Sequence, residues 1–574
     1  MAARVGGTTF QEITRSITSF VEHNHHAVVL FAAAFFTMII LSGGFLLFFV
    51  LRKSPVPILT DCSTLNCSRA VRDLELTLTA SADPCRDFYG HVCSRRRARG
   101  VDGSFLESAG RDLLLELNAR LISVPEDQRD SYRRLFGVAQ FYQLCHRFLR
   151  APHLRLRDML PHLKSRYQDL LALSSFAHIL ERVVMLSLVQ GIRTLLDVRL
   201  VRVMRTSPRV RIGLGLSLAR KCSVLSARDL MAYLKVLLVE ADVKLPDGLD
   251  ASHIVETDIA VEEFLARTGK EQSYNISALG SLTPKVSTPW WLKTLNALLP
   301  TSSRITEASR VFVDKADAIK ALLGFFDGLP RGNATVYLYA QVLMEGLCFD
   351  YIRGQGVSNP ERTVKPCLRA SWKAVIGAKA LVYDLVRVDA GVVATVLEHV
   401  RSLVLLDAER SSWMGEAMKR HSRVVLSGVV LRSPEFATLP KALSKSEGHT
   451  ATNISTSTPL GSFPARFMWM QEERQRFLLV NPPMSDEDEE KSDQFFFETR
   501  VTYDVPSSLN VPAAAQRAPV VYPSDVPYEF SLGTLGTLIA RELLRAAVPS
   551  NFPELWTSVQ QVRCPCGALL CRPR

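Results

Sequence analysis

The sequence predicts a mainly α-helical protein carried on a single membrane-spanning helix, and three observations point there. Residues 27–50 form a run of 24 residues without a charge, which as a helix extends about 36 Å, enough to cross a hydrocarbon core of ~30 Å. Beyond it, stretches rich in Leu, Ala, Val and Arg repeat at helical spacing, as in Leu113-Leu114-Leu115-Glu116-Leu117 and residues 170–173, the pattern of packed amphipathic helices. The 574 residues are 47% apolar and 22% charged, a globular balance with material for several cores.

Taken in order, residues 1–26 read as a cytoplasmic tail and 27–50 as an uncleaved signal anchor, since a cleaved signal has a shorter apolar region nearer the terminus. Residues 51–60 read as a Pro-containing connector. Charges flanking the anchor do not orient it: Arg52 and Lys53 follow, while Arg4 and Arg15 precede it beside Glu12 and Glu22. The sequons at Asn66, Asn275, Asn333 and Asn453 and all 11 cysteines lie after the anchor. They place the large domain outside the plasma membrane, as in a single-pass type II glycoprotein. Most of residues 65–430 should be helical. Residues 434–464 shift to Ser, Thr, Gly and Lys and read as loop. The acidic run 485–490 reads as a solvated face, because consecutive carboxylates lack the alternating ligand spacing of a calcium loop. Residues 495–503 alternate as a strand, and a terminal helix runs from about Leu535 to Val548, where Pro549 stops it.

The formal charge of +12 is concentrated at Arg95-Arg96-Arg97 with Arg99 and at residues 146–166. Neither run is interleaved with aromatics in a nucleic-acid-binding pattern and the domain is expected outside the cell, so no nucleic-acid partner is expected and a solvated surface facing anionic lipids or glycans is favoured. The 12 histidines are scattered and none forms H-x-x-x-H. Gly215-Leu216-Ser217-Leu218-Ala219 is a poor form of the G-x-S-x-G nucleophile elbow, ending in alanine. Gly533 and Gly536 are followed by no Lys-Ser/Thr pair and make no phosphate loop. Cys564, Cys566 and Cys571 read as disulfide cysteines rather than a metal cluster, their spacing fitting no usual zinc site. An odd total leaves at least one cysteine unpaired or bonded to another chain.

The most informative run is residues 532–546, LGTLGTLIARELLRA. It has the outline of a zinc-peptidase helix, in which H-E-x-x-H sets two imidazoles at i and i+4 on one face with a glutamate between them to activate the metal-bound water. Here those positions are Arg541, Glu542 and Arg545. A guanidinium has no lone pair to donate and repels a dication, so no metal site and no intact catalytic residue is expected, and an i,i+3 ion pair between Glu542 and Arg545 is.

Other motifs carry the same outline along the chain. Cys62, Cys67, the run Asp83-Pro84-Cys85-Arg86-Asp87-Phe88-Tyr89 and Cys93 resemble the opening signature of the family of neprilysin and endothelin-converting enzymes. Phe141-Tyr142-Gln143-Leu144-Cys145 resembles its Y-x-x-C helix. Trp413-Met414 resembles the start of its W-M-D helix, with Gly415 in place of the aspartate, and Val511-Pro512-Ala513-Ala514-Ala515 its P-A-A segment. The resemblance covers about residues 60 to 565. It implies a largely helical peptidase-family domain over 61–480 and a remnant of the catalytic domain over 481–574, truncated shortly after the zinc-site helix. It implies disulfides Cys62–Cys67 and Cys145–Cys367, leaving Cys85, Cys93, Cys222 and Cys348 without assigned partners and the three late cysteines as candidates for the first two. It gives Glu542 the position of the general base. Arg500-Val501 stand where the family's substrate-holding Asn-Ala pair lies, and Ser94 with the following arginines replaces G-x-W. The family's third zinc ligand, the glutamate of E-x-x-x-D, has no counterpart: after Arg545 there is one glutamate, Glu554, and no aspartate or histidine.

The expectation is a pseudo-metallopeptidase without cofactor, where active relatives use zinc, that binds extracellular peptides or a related peptidase. Two alternatives stand beside it: a zinc metalloendopeptidase cleaving extracellular oligopeptides, and a truncated product whose terminal helix leaves Leu535, Leu538, Ile539 and Leu543 exposed.

Overall fold

The structure, a computed structural model, describes residues 64–75, 105–124, 133–202, 208–222, 227–243, 249–283, 285–354, 361–386, 390–432, 460–482, 495–504, 507–523 and 525–547, with Asp83 and Arg86. The expected anchor 27–50, tail, connector and acidic run lie outside these residues. Among the described residues no helix is long and apolar enough to cross a membrane. The chain divides into two compact units, Met1–Glu75 with Ser524–Pro527, and Leu76–Pro523 with Tyr528–Arg574. In the first, helix α1 (Leu65–Glu75) is tied to the distant insert where the Asn66 amide donates to both Asp525 carboxylate oxygens at 3.0 and 3.2 Å.

The second unit is mainly helical, as the spacing predicts. Its larger core gathers α2 (Phe105–Ile122), α3 (Arg133–Leu149), α4 (Leu156–Tyr167), α5 (Phe176–Leu188), β1 (Leu196–Val201), β2 (Arg209–Leu214), α6 (Leu218–Cys222), α7 (Ala227–Glu240) and α8 (Ala251–Ala266). β3 (Glu271–Asn275), α9 (Thr288–Leu298), β4 (Arg310–Asp314), α10 (Ala316–Gly328), α11 (Arg331–Gly354), α12 (Glu361–Ala374) and α13 (Ala378–Leu385) follow. A smaller core is built from α14 (Ala390–Arg410), α15 (Glu416–Ser427), β5 (Val430–Arg432), β6 (Thr502–Asp504), β7 (Ser508–Asn510) and the C-terminal α17 (Thr537–Ala547), after α16 (Phe463–Val480) has returned to the larger one.

A four-stranded sheet interrupts the helices and was not expected. Its order is β1-β2-β4-β3, with β1 and β2 antiparallel, β2 and β4 parallel, and β3 and β4 antiparallel. Val198, Leu200, Val210, Ile212, Val311 and Val313 face the core while Arg199 and Arg211 alternate outward, the one-sided burial of a sheet covered on a single face. The strand expected over 495–503 is present only as β6. Phe495 and Phe496, consecutive residues, are both fully buried, which a strand with one covered face cannot achieve. Instead residues 495–497 form a helical turn, with Tyr383 5.5 Å from the Phe495 ring and Trp372 5.0 Å from both Phe496 and Phe497.

Helix α11 is the axis of the larger core, with every residue from Ala334 to Tyr351 buried. Three of its polar side chains, Tyr337, Gln341 and Glu345, recur every fourth residue and enter hydrogen-bond networks. The Tyr337 hydroxyl donates to Asp258 at 2.7 Å and accepts from Gln341 at 2.7 Å. One turn on, the Glu345 carboxylate accepts from the Lys221 ammonium at 2.9 Å, Lys373 at 3.2 Å and the Gln471 amide at 3.4 Å. Gly346 lets α16 approach closely: a Cβ there would stand 3.1 Å from Met468 Sδ and 3.2 Å from Pro464 Cβ. Phe463 and Phe467 of α16 fill the contact against Phe349, each with a ring separation of 5.2 Å.

Burial alone would raise the Glu345 carboxyl, but Lys221 and Lys373 outweigh it and hold it well below the usual carboxylate range. A depressed carboxyl stabilises the fold above its unfolded value, about 4.3, and that contribution fades as pH falls toward the lower folded value. Glu345→Gln leaves the Lys221 ammonium, 1% exposed, without a counter-charge and is expected to cost about 3–5 kcal/mol at pH 7. Urea unfolding should show the gap between wild type and variant narrowing as pH is lowered below about 4.

Candidate functional site

Helix α17 is preceded by a short turn, Tyr528–Ser531, and a π-helical segment, Leu532–Gly536. The Thr534 hydroxyl binds the Phe530 carbonyl at 2.8 Å and also the Val520 carbonyl, fastening this segment to the chain that follows the P-A-A segment. Leu535, Ile539, Leu543 and Ala547 recur at i+4 and are fully or nearly fully buried against Val400, Val404 and Leu426. The expectation that a terminal helix would expose Leu535, Ile539 and Leu543 is therefore corrected: α14 and α15 cover them, and Leu538 is half-buried. Ser422 of α15 donates to the Ala547 carbonyl at 3.1 Å, satisfying one of the free carbonyls at the helix end.

This packing turns the two arginines away from the core. Arg541 and Arg545 are 51% and 61% exposed, while the Glu542 carboxylate between them is 6% exposed. Arg545 Nη1 lies 3.3 and 3.4 Å from the two Glu542 oxygens, and Arg541 Nε lies 3.7 Å from Oε1. The expected i,i+3 pair is thus one arm of a triplet with net charge +1. Zinc needs three or four N, S or O donors. Here two of the three side chains carry no lone pair and the third is already held between two cations. The residues do not fit a zinc ion, and among the described residues no group of three or more His, Cys, Asp or Glu is placed to hold any metal.

Beside the helix runs a three-stranded sheet of order β5-β7-β6, in which β6 pairs antiparallel with β7. Among the described residues β6 is the end strand of this sheet. Arg500 is exposed and Val501 is buried in the smaller core just ahead of it. The P-A-A segment is a 3-10 turn, Ala513–Gln516, with all three alanines fully buried. It lies against α2, where Arg517 pairs with Glu116. Trp413 is 56% exposed and Gly415 is the N-cap of α15 without a side-chain hydrogen bond.

Cys145 and Cys367 form the disulfide that the resemblance implies, joining α3 to α12 with Cα atoms 5.6 Å apart. Cys67 and Cys348 are also disulfide-bonded. Cys62, Cys85, Cys93, Cys564, Cys566, Cys571 and Asn453 lie outside the described residues. The sequons differ in setting: Asn275 is exposed at the end of β3, whereas Asn333 is half-buried in the first turn of α11 and Asn66 is engaged by Asp525. Ser217 is no nucleophile: it is fully buried, donates to Glu262 and accepts from the Arg220 backbone at 3.1 Å. Gly215 serves a close backbone crossing, since a Cβ there would fall 1.9 Å from the Thr194 carbonyl oxygen.

No protein-family model matches the sequence, and no curated protein matches it. Solved structures match by fold. The Mycobacterium tuberculosis zinc metalloprotease Zmp1, in complex with an inhibitor, aligns over 81% of this chain and 73% of its own with a TM-score of 0.52 at 11% identity. A Haemonchus galactose-containing glycoprotein complex aligns over 84% and 74% with a TM-score of 0.52 at 14% identity. PepO from Lactobacillus rhamnosis aligns over 77% and 72% with a TM-score of 0.48 at 12% identity. The chain therefore has the fold of a zinc metalloprotease. Its structural neighbours are of the neprilysin and PepO type, and the likeness is one of fold.

Two stability outcomes follow from this packing. Leu543→Ala, at a fully buried position, is expected to cost about 2–5 kcal/mol, whereas Leu544→Ala, 44% exposed, should stay within about 0.5 kcal/mol of wild type; denaturant titration compares the two. Gly415→Asp meets open space and supplies a cap acceptor, so it should raise stability by about 0.5 kcal/mol in the same measurement.

Proposed function

We propose that this chain is a non-catalytic member of the neprilysin-type peptidase group that binds peptides without cleaving them. It would be a type II membrane glycoprotein, anchored through residues 27–50 at the plasma membrane with the helical domain outside. The observation that carries the reading is the Arg541-Glu542-Arg545 triplet, on a helix that packs beside the end strand β6. A peptide laid along β6 gains main-chain hydrogen bonds as an added strand. The outward guanidinium groups offer charge-assisted bonds to a peptide carboxylate where an active relative offers a dication. Glu542 has no metal-bound water to deprotonate and instead holds the two guanidiniums in place. An extended segment of an active relative could use the same strand edge, which makes such a peptidase a second candidate partner.

The test uses the full chain in detergent. Elemental mass spectrometry should find no stoichiometric zinc, and fluorescent peptide titration should find saturable binding with no product by mass spectrometry. Arg541→Gln with Arg545→Gln should weaken binding of carboxylate-bearing peptides about tenfold, the order of two lost charge-assisted hydrogen bonds. One tightly held zinc per chain with peptide cleavage would overturn the reading, as would a folded protein that binds no peptide.

A further inference from the structure

A second charged surface lies where α3 turns into α4, on the basic stretch that the composition singles out. Arg147, Arg150, His153, Arg155 and Arg157 are all exposed. The single carboxylate within residues 147–158 is Asp158, and one of its oxygens accepts the Arg155 backbone N–H at 2.9 Å. The next cations along α4 are compensated, Lys164 by Asp242 at 3.5 Å and Arg166 by Glu472. Arg150, Arg155 and Arg157 have no such partner among the described residues.

Their placement does not serve helix stability. Arg155 is the N-cap of α4 and Arg157 lies in its first turn, where a cation opposes the helix dipole. The backbone beneath them is pinned. Ala151 is 5% exposed, its carbonyl accepts from Arg353 Nη1 at 2.9 Å, and the Arg353 guanidinium covers the Phe148 ring at 5.9 Å. Two residues before Arg147, the Cys145–Cys367 disulfide ties the same helix to α12. A row of cations on a pinned backbone, in which Arg150, Arg155 and Arg157 carry no ion pair among the described residues, is complementary to a row of anions.

The side chains around the corner narrow the class of anion. Leu154 and Leu156 pack against the core, and no large apolar side chain between 145 and 168 is strongly exposed, so the corner lacks the wedge that an interfacial membrane site inserts. Tyr142, Phe148 and Tyr167 are buried, leaving no exposed Phe, Tyr or Trp among the described residues of the corner on which a nucleic-acid base could stack. All four permanent cations are arginine, whose planar fork suits the paired oxygens of sulfate and carboxylate groups. We propose that the α3–α4 corner is a docking surface for a sulfated polysaccharide, with Arg150, Arg155 and Arg157 as the principal contacts and Arg147 and His153 flanking them.

The test measures binding of the full chain, in detergent, to an immobilised heparin oligosaccharide at 0.15 M salt. A triple variant, Arg150→Gln, Arg155→Gln and Arg157→Gln, is compared with Lys293→Gln, Arg304→Gln and Lys320→Gln, which removes the same charge from exposed sites elsewhere. The corner variant should bind about tenfold or more weakly with a shallower salt dependence, and the control variant less than about threefold more weakly. Replacing the same three arginines by lysine should keep the fold and the charge but still weaken binding about threefold, through loss of the bidentate fork. Absence of heparin binding by the wild-type chain, equal losses in the two glutamine variants, or tighter binding to phosphatidylserine vesicles or duplex DNA than to heparin would each overturn the proposal.

Discussion

The larger core is organised around one buried carboxylate. Glu345 lies on a helix enclosed on every side, and removing an ion from water costs several kcal/mol unless its partners are close and well directed. The partners come from three other elements: Lys221 from α6, Lys373 from α12 and Gln471 from α16. Gln471 also donates to the Gly191 carbonyl at 2.6 Å, which draws the approach to β1 into the same network. None of these elements can move independently without leaving a charge or an amide unpaired. Apolar packing would tolerate several arrangements of these helices; the carboxylate accepts one.

The dependence reaches the candidate site through α12. The helix that supplies Lys373 also supplies Trp372, and its indole packs against Phe496 and Phe497, a few residues ahead of β6. The strand edge is therefore registered to the larger core at one end and to α17 at the other, by way of the smaller core. The site itself has a simple electrostatic character. A buried carboxylate is flanked by two guanidinium groups whose outer faces remain solvated, so the surface presented to a ligand is cationic and its geometry is held from beneath.

Helices were legible because their burial follows the 3.6-residue period; Leu535, Ile539 and Leu543 do share one face, but it is buried rather than exposed. What covers that face was not legible, since Val400 and Leu426 lie more than a hundred residues earlier and nothing local marks them as its partners. The Cys145–Cys367 pair was legible only through resemblance, the two cysteines being 222 residues apart. The four-stranded sheet escaped notice because its strands are five or six residues long, and the outward arginines of β1 and β2 also fit a helical pattern. At residues 495–497 the alternation was misleading: three successive phenylalanines answer to rings on α12 and α13, not to a pleat. The Glu542–Arg545 pair could be read directly, because an i,i+3 relation needs no tertiary information; the approach of Arg541 to Glu542 was added by the structure. The Glu345 network could not, for the opposite reason.

The π-helical segment ahead of α17 sets the angular phase of the helix that follows. A turn that holds an extra residue rotates everything after it by about 100°, one step of a 3.6-residue turn. Thr534 latches that turn to the Phe530 and Val520 carbonyls. Were the segment to relax into regular α-helix with its start held, the guanidinium face would turn by that step relative to α14 and α15, and the Ile539 and Leu543 stripe would lose its register against them. The chemistry displayed at this surface is thus chosen by backbone winding as much as by residue identity, and a one-residue insertion or deletion before Thr537 would turn the triplet by about 100° without altering any of its side chains.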